Sequence, residues 1–519
     1  MALDVSKLVE SLLRPCAYPD NPSRVELVQT QMSFVFLADR YVYKVKKAVD
    51  LGYLDYTTLE NRRLFSLREV ELNRRLSPDI YLGVVPVTRQ DGGFVMEGNG
   101  KAVEYAVKMR RLPQDRMMSV LLDRDQVSGE MAERVARKLV DFHSKAETGP
   151  TIATFGSVEA IRKNVDENFG QTDRYFGRTI SEGQYERIMA YTNGFIDGNA
   201  SLFRRRVKRG RIRDCHGDLH AEHVCFANGI YIYDCIEFND RFRYCDVASE
   251  IAFLAMDIDR HGRAELSRSF VRAYVDGSGD ADLLQLLNFY KCYRAYVRGK
   301  VNSFALDDPN INEAGKAQAA RTARSYFDLA FAYTRTRPVL LITTGLVGTG
   351  KTTLAQTLAK RSGLVVISSD VLRKQLAGIP QTEHRYEEFS SGIYSDEFSR
   401  RTYDTMFARA KEILLSGNSV VLDASFIKRS ERQRAKGLAE DTGAHFIIVE
   451  CRLDADRIRR RLARRAKDGT VSDGRWEIYR PQRRSLEPVL SGEAGHLAVD
   501  ASLPVDVIAG QVLDRLLSF

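Results

Sequence analysis

Gly345-Leu346-Val347-Gly348-Thr349-Gly350-Lys351-Thr352, just after the apolar run Val339-Leu340-Leu341-Ile342, fits the pattern G-x-x-x-x-G-K-[ST]. Glycines at 345, 348 and 350 let the backbone turn so that successive N–H groups converge on an anion. Lys351 adds positive charge for β/γ phosphates, and the Thr352 hydroxyl is offered to Mg²⁺. Lys351-Thr352-Thr353 open a helix expected to run to Arg361. A plain glycine-rich turn does not account for that flank. The expected nucleotide-binding set is therefore Gly345, Gly348, Thr349, Gly350, Lys351, Thr352 and Thr353.

Downstream of the loop, apolar strand candidates at 339–343, 364–368, 419–423 and 445–451 alternate with helical segments. That rhythm predicts an α/β domain over 337–519 with a parallel sheet covered on both faces. Acids at the carboxyl ends of such strands face the ligand crevice. Asp370, after Ser368-Ser369, is placed either to accept a proton from an attacking hydroxyl or to cap a helix. Arg373, one turn later, suits a substrate anion. Asp423, ending Val420-Val421-Leu422, suits the Mg²⁺ shell. Arg457, Arg461 and Arg465 share one helix face, either as a lid over the transferring phosphoryl group or as a solvated basic stripe.

Upstream of residue 336 the pattern differs. Residues 25–47 alternate as strands around an Ala38-Asp39-Arg40 turn, and a helix is expected from about Thr57 to Leu76. Further strands fit 81–88 and 103–110. After Leu112-Pro113 helices dominate, interrupted at 211–240 by strand and loop. These features predict a small lobe over about 1–112 and a larger one over about 113–336. His216-Gly217-Asp218-Leu219-His220 lies in that loop, and Asp234 follows the strand Ile230–Tyr233. Two acids across a hairpin suit a proton acceptor and a Mg²⁺ ligand. Lys44, or Lys46 on the same strand face, could reach phosphates if Glu69 or Glu71 held it.

The 337–519 segment resembles the P-loop kinases grouped with polynucleotide 5′-kinase, zeta-type toxins and gluconate kinase. Asp370 and Arg373 match a D-x-x-R that positions the acceptor there, and Arg461 and Arg465 match lid arginines. Residues 1–336 resemble the aminoglycoside phosphotransferase and choline kinase family, which has the bilobal, α+β protein-kinase-like fold. The resemblance makes Asp218 the base and Asp234 a metal ligand, equates Val135–His143 with the helix before the loop, and puts the adenine hinge at Val107-Lys108-Met109. The pair of modules looks like a bacterial family of ATP-binding proteins with this fusion. One position departs. Where the family has a metal-binding Asn, this chain has His223, which is expected either to take that place in the metal set or to hydrogen-bond while Glu237 or water completes the shell. A glycine-rich phosphate cover is also absent, and Gln31-Met32-Ser33 would serve as a polar turn.

The remaining composition fits this reading. With 519 residues, 44% hydrophobic and 28% charged, the chain belongs with multidomain globular proteins. No apolar run is long enough to span a bilayer, MALDVSKLVESLLRP carries no signal-peptide pattern, and a cytoplasmic location is expected. Seven cysteines argue against a disulfide framework. The ten-residue recurrence of Cys215, Cys225, Cys235 and Cys245 reads as buried thiols rather than a zinc site. The net charge is +9, and Arg204-Arg205-Arg206 reads as a solvated helix end. The expected activity is an ATP- and Mg²⁺-dependent phosphotransferase with two nucleotide modules. It would act on a hydroxyl of a small molecule or a nucleic-acid 5′ end, without a membrane partner. The alternative is a regulatory protein whose first module gates the second.

Overall fold

The computed structural model describes residues 4–309, 311–335, 337–380, 391–468, 475–490, 492–493 and 495–516, with side chains 465–468 left out. The chain forms two compact units that interleave along the sequence: Met1–Asn164, Ile196–Asp257 and Arg268–Tyr290 in the first, Val165–Phe195, Ile258–Ser267 and Lys291–Phe519 in the second. Among the described residues, no helix is long and apolar enough to cross a membrane.

The first unit opens with a six-stranded antiparallel sheet: β1 (Glu26–Gln29), β2 (Ser33–Leu37), β3 (Tyr41–Lys46), β4 (Tyr81–Gln90), β5 (Gly93–Met96) and β6 (Ala102–Arg110), in the order β1-β2-β3-β6-β4-β5. Alternation along β3 sorts its side chains. Tyr43 and Val45 join Leu8, Leu12 and Phe36 in a core on one face, while Lys44 and Lys46 point to the other. Helix Leu59–Arg74 lies on that second face and begins where the Thr58 hydroxyl accepts from the Asn61 N–H. Its Glu69 is fully buried.

Four short strands follow: β7 (Ile212–Asp214), β8 (Val224–Phe226), β9 (Ile230–Ile232) and β10 (Tyr244–Asp246). The β8–β9 pair is a hairpin, and β7 pairs with β10. These strands present the loop 216–220 and Asp234. The sheet with its buried helical acid, followed by a helical lobe carrying this loop, is the protein-kinase-like fold.

The second unit carries a wholly parallel sheet of β11 (Val339–Thr344), β12 (Val365–Ser368), β13 (Val420–Asp423), β14 (His445–Arg452) and β15 (His496–Asp500), ordered β12-β13-β11-β14-β15. Every residue of β11 is buried. Val339 and Leu341 pack against helices Lys351–Ser362 and Val505–Leu516, whereas Leu340 and Ile342 meet Asp396–Leu415 and Arg429–Thr442. A continuous apolar strand is what a position buried on both faces demands. This is the α/β P-loop fold. β5 and β15 escape the sequence reading because each is a short edge strand with few buried residues.

Two expectations need correction. The arginine run is not a solvated helix end: Arg204 is exposed, but Arg206 has no solvent access. Its guanidinium grips Asp246 through two bonds of 2.9 and 2.6 Å and also pairs with Asp280, while Arg205 bonds Asp282 at 3.0 Å. The hinge does not sit at Val107-Lys108-Met109, which lie inside β6 with Lys44, Tyr43 and Val42 on one side and Val84, Gly83 and Tyr81 on the other. A central strand has its backbone groups committed to both neighbours, so the chain leaves the sheet only after Arg110. The four regularly spaced cysteines are free thiols, and among the described residues no metal-capable cluster contains two of them.

Replacing Arg206 by Ala should cost about 3–5 kcal/mol, because Asp246 and Asp280 would remain buried without their cation. Urea denaturation of the full chain checks this, and a change below about 1 kcal/mol would contradict the buried triad as an anchor.

Candidate functional site

In the first unit, β3 and helix Leu59–Arg74 bring Lys44 to 3.0 Å from Glu69. The other Glu69 oxygen accepts from Lys46 at 2.7 Å. Lys44 also reaches Asp234 at 2.6 Å, whereas Lys46 turns inward to Glu237, which further accepts from Tyr56 at 2.6 Å. Lys44 keeps 16% of its side-chain exposure and Lys46 only 1%, and both pair with Glu69. Glu69 rather than Glu71 is the partner. Glu237 is engaged by Lys46 and Tyr56. Desolvation opposes the charged form of Asp234, but the Lys44 ammonium overrides it and holds the carboxyl below its ordinary range. Asp234 sits in the left-handed backbone region at φ 62°, its N–H held by the Tyr81 hydroxyl at 3.0 Å.

The catalytic-type loop is built from below by Glu250, which sequence reasoning missed. This buried carboxylate accepts from the His216 N–H at 2.8 Å and the Gly217 N–H at 2.8 Å, and bonds the His143 ring at 3.0 Å. Burial alone would raise its pKa, but the His143 hydrogen bond, the His143 and His216 rings and the Gly217 amide bring it down to about 2. Gly217 needs its φ of 89° and its missing side chain, since a Cβ there would lie 2.9 Å from the Phe242 carbonyl oxygen. His216 accepts from the Asp218 N–H at Nδ1, so its Nε2–H donates to the Tyr233 carbonyl at 2.9 Å.

His223 stands between the two acids. Its Nδ1 donates to the Asp218 carbonyl at 2.8 Å, and its Nε2 lies 3.7 Å from Asp234 Oδ2. Burial, then the neighbouring His220, push its pKa down to about 4, so the ring is neutral. His220 packs against it with ring centroids 4.0 Å apart and places Nε2 3.5 Å from Asp218 Oδ2. Asp218, Asp234, Lys44, Glu69 and His223 thus converge. The turn at Gln31-Met32-Ser33 contributes little to anion binding, because the Thr30 hydroxyl accepts from both the Met32 and Ser33 N–H groups, at 3.2 and 2.9 Å.

In the second unit the phosphate-loop residues lie between β11 and helix Lys351–Ser362. Gly345, at φ 137°, approaches the Cys451 carbonyl so closely that a Cβ would stand 2.7 Å from its oxygen. Gly350 caps the helix in the left-handed conformation, and Lys351 donates to the Leu346 carbonyl at 2.8 Å. Asp423 is buried at the end of β13, close to the Thr352 and Ser368 side chains. Burial raises its pKa, and the nearby Asp370 charge adds to the rise. Asp370 lies inside the first turn of helix Ser369–Leu376, whose N-cap is Ser368, so it is not acting as the cap.

Arg373 is almost fully buried. It donates to the Ile393 carbonyl at 2.5 Å and the Ser399 hydroxyl at 3.1 Å, and covers the Tyr394 ring. Arg461 donates to the Ala501 carbonyl at 2.7 Å and passes beside Gly350. The Arg465 side chain lies outside the described residues. Sequence reasoning also missed Gln482, on helix Trp476–Arg484, whose Oε1 accepts from the Val347 N–H of the loop at 2.6 Å. Trp476 and Tyr479 of that helix, stacked at 4.6 Å, pack with Ile458, Leu462, Leu346 and Val347.

The Glu250 anchor has a measurable sign. Its folded pKa lies below the ordinary 4.5, so its contribution is complete above that pH and is lost as pH falls toward about 2. Glu250→Gln should lower stability at pH 7 by about 3 kcal/mol and flatten the acid limb of the stability curve below pH 4.5. Thermal melts of both proteins across that range supply the comparison.

A model of the family described as AAA domain matches residues 340–489. The uncharacterized proteins Rv2004c of Mycobacterium tuberculosis (strain H37Rv) and Mb2027c of Mycobacterium bovis are each 32% identical over 457 residues, 88% of this chain and of theirs. Among solved structures, a gluconokinase from Sinorhizobium meliloti 1021 is 23% identical, covering 35% of this chain and 93% of its own, with a TM-score of 0.27. A choline/ethanolamine kinase family protein from Mesorhizobium loti is 13% identical, covering 63% of this chain and 99% of its own, with a TM-score of 0.37. An alignment of 457 residues is too long for either half of the sequence alone. The chain belongs to the family of these mycobacterial proteins.

Proposed function

We propose that the chain transfers the γ-phosphate of ATP to a hydroxyl group, with the P-loop module, residues 337–519, as the principal active site. The observation that carries this reading is the meeting of Lys351, Thr352, Asp370 and Asp423 around the carboxyl ends of β11, β12 and β13. The Thr352 hydroxyl and Asp423 carboxylate are both oxygen donors, a set that fits Mg²⁺. When bound, that ion supplies positive charge against the β- and γ-phosphate oxygens. The loop amides and Lys351 hold the nucleotide. Asp370, free of a capping role, takes the proton of the attacking hydroxyl, and Arg461 and Arg465 neutralise charge on the moving phosphoryl group. Arg373 binds an anionic group where the acceptor carries one. The acceptor class is a small polyol or aminoalcohol, or a nucleic-acid 5′-hydroxyl.

The first module, residues 1–336, is read as a second nucleotide site in which Asp218 is the base, Lys44 meets the phosphates under the hold of Glu69, and Asp234 and His223 face the metal. A specific observation favours a weaker or regulatory role there. The turn that would cover phosphates spends its Met32 and Ser33 amides on Thr30.

Labelled ATP presented with sugars, aminoalcohols and 5′-hydroxyl oligonucleotides to the full chain tests the activity. Lys351→Ala should abolish the main transfer, and Asp370→Asn should reduce it by roughly 10²–10⁴-fold while ATP still binds. Asp218→Asn should cost far less. A large loss from Asp218→Asn with none from Asp370→Asn would reverse the ranking of the modules.

Gln482 fills one loop N–H that a terminal phosphate would claim. Gln482→Ala should therefore tighten binding of a non-hydrolysable triphosphate by a few-fold, equivalent to about 1 kcal/mol, and leave ADP unchanged. Calorimetric titration reads both, and an unaltered triphosphate-to-diphosphate ratio counts against the idea.

A further inference from the structure

His223 has a donor geometry that differs in kind from the P-loop site. Its Nδ1 faces the Asp218 carbonyl oxygen at 2.8 Å. A carbonyl has no proton to give, so Nδ1 carries a hydrogen and Nε2 is the nitrogen whose lone pair can serve an ion. That lone pair lies 3.7 Å from Asp234 Oδ2. Lys44 engages the other oxygen, Oδ1, at 2.6 Å, which leaves Oδ2 to the His223 side. Two ligand atoms each ~2.1 Å from one ion stand between ~3.0 and ~4.2 Å apart, so this separation accommodates a shared ion without moving either residue.

The ring is also fixed in place. The Tyr233 N–H bonds the His223 carbonyl at 3.1 Å across the hairpin, and His220 packs on the imidazole face. Asp218, His220 and His223 have ligand atoms within 4.8 Å of one another. Mg²⁺ favours oxygen donors in strict octahedral array, whereas an imidazole nitrogen raises affinity for Mn²⁺, Co²⁺ and their neighbours.

We propose that Asp234 Oδ2 and His223 Nε2 form a mixed oxygen–nitrogen site that selects a divalent transition ion of the Mn²⁺/Co²⁺ class over Mg²⁺. The two modules then use different ions, since Thr352 and Asp423 offer only oxygen. The inference deepens the reading of the first module as a metal-assisted nucleotide site. Its test measures binding alone, so an absence of phosphoryl transfer would count against that reading and not against the site.

The probe is Mn²⁺ added to the untagged full chain with ATPγS, followed by electron spin echo modulation and by competition with Mg²⁺. Imidazole ¹⁴N modulation is expected in the wild type and in His220→Asn, and should vanish in His223→Asn. The same His223→Asn change should lower the Mn²⁺-to-Mg²⁺ affinity ratio by roughly tenfold or more. Should His223→Asn fail to fold, Asp234→Asn must lose the modulation in its place. No ¹⁴N modulation in the wild type, modulation that disappears with His220→Asn but survives His223→Asn, or an unchanged ion ratio would each overturn the site.

Discussion

Glu69, a carboxylate with no access to water, lies between two ammonium groups, and the first unit is organised around it. Lys44 and Lys46 pair with its two oxygens and continue outward to Asp234 and Glu237. Removing such charges from water costs several kcal/mol per ion, and only close pairing with complete hydrogen bonding recovers it. The requirement ties together three parts of the chain: a sheet strand, the helix above it, and the segment after β9. It also divides labour between neighbouring lysines. Lys46 satisfies the interior, which leaves Lys44 held at the cleft with a fixed direction.

The two units set out positive charge by different means. In the second, backbone N–H groups and a helix N-terminus supply the positive field, so glycine is indispensable at Gly345, where the carbonyl of Cys451 leaves no room for a side chain. In the first, the corresponding turn closes on itself through Thr30, and positive charge is held on the side chain of Lys44. A backbone cradle recognises the phosphate's shape. Side-chain charge depends instead on the ionisation of its partners, which places Lys44, Asp234 and His223 in one coupled group.

What could be read from the sequence followed how locally each feature is encoded. The phosphate loop is contiguous, and its strand and helix flanks are written next to it, so its residues appear where expected. Lys44, Glu69, Asp218 and Asp234 were legible because alternation on β3 and the β8–β9 hairpin fix their directions. Glu250 acts on main-chain amides 33 and 34 residues away, and Gln482 on one 135 residues away. A partner with no side-chain identity leaves no motif. Arg206 misled for a related reason: three adjacent arginines suggest a surface, but helical geometry turns one of them inward onto acids supplied by Asp246 and Asp280. The residues expected as a hinge lie in a strand because β6 stays paired on both edges through Met109.

The interleaving of the two units bears on how this chain can be divided. Helix Glu313–Ala332 precedes the phosphate loop in sequence yet supplies Asp328, whose carboxylate receives Arg361 of the loop's own helix at 2.6 and 2.8 Å and Gln184 at 2.8 Å. Severing the chain just before β11 would strip Arg361 of this counter-ion and bare the surface around Leu329, which touches Gly363. The fold that carries the phosphate loop is therefore completed by chain that precedes it in sequence. Recombination that exchanged the phosphate-loop half alone would have to carry the upstream helix with it.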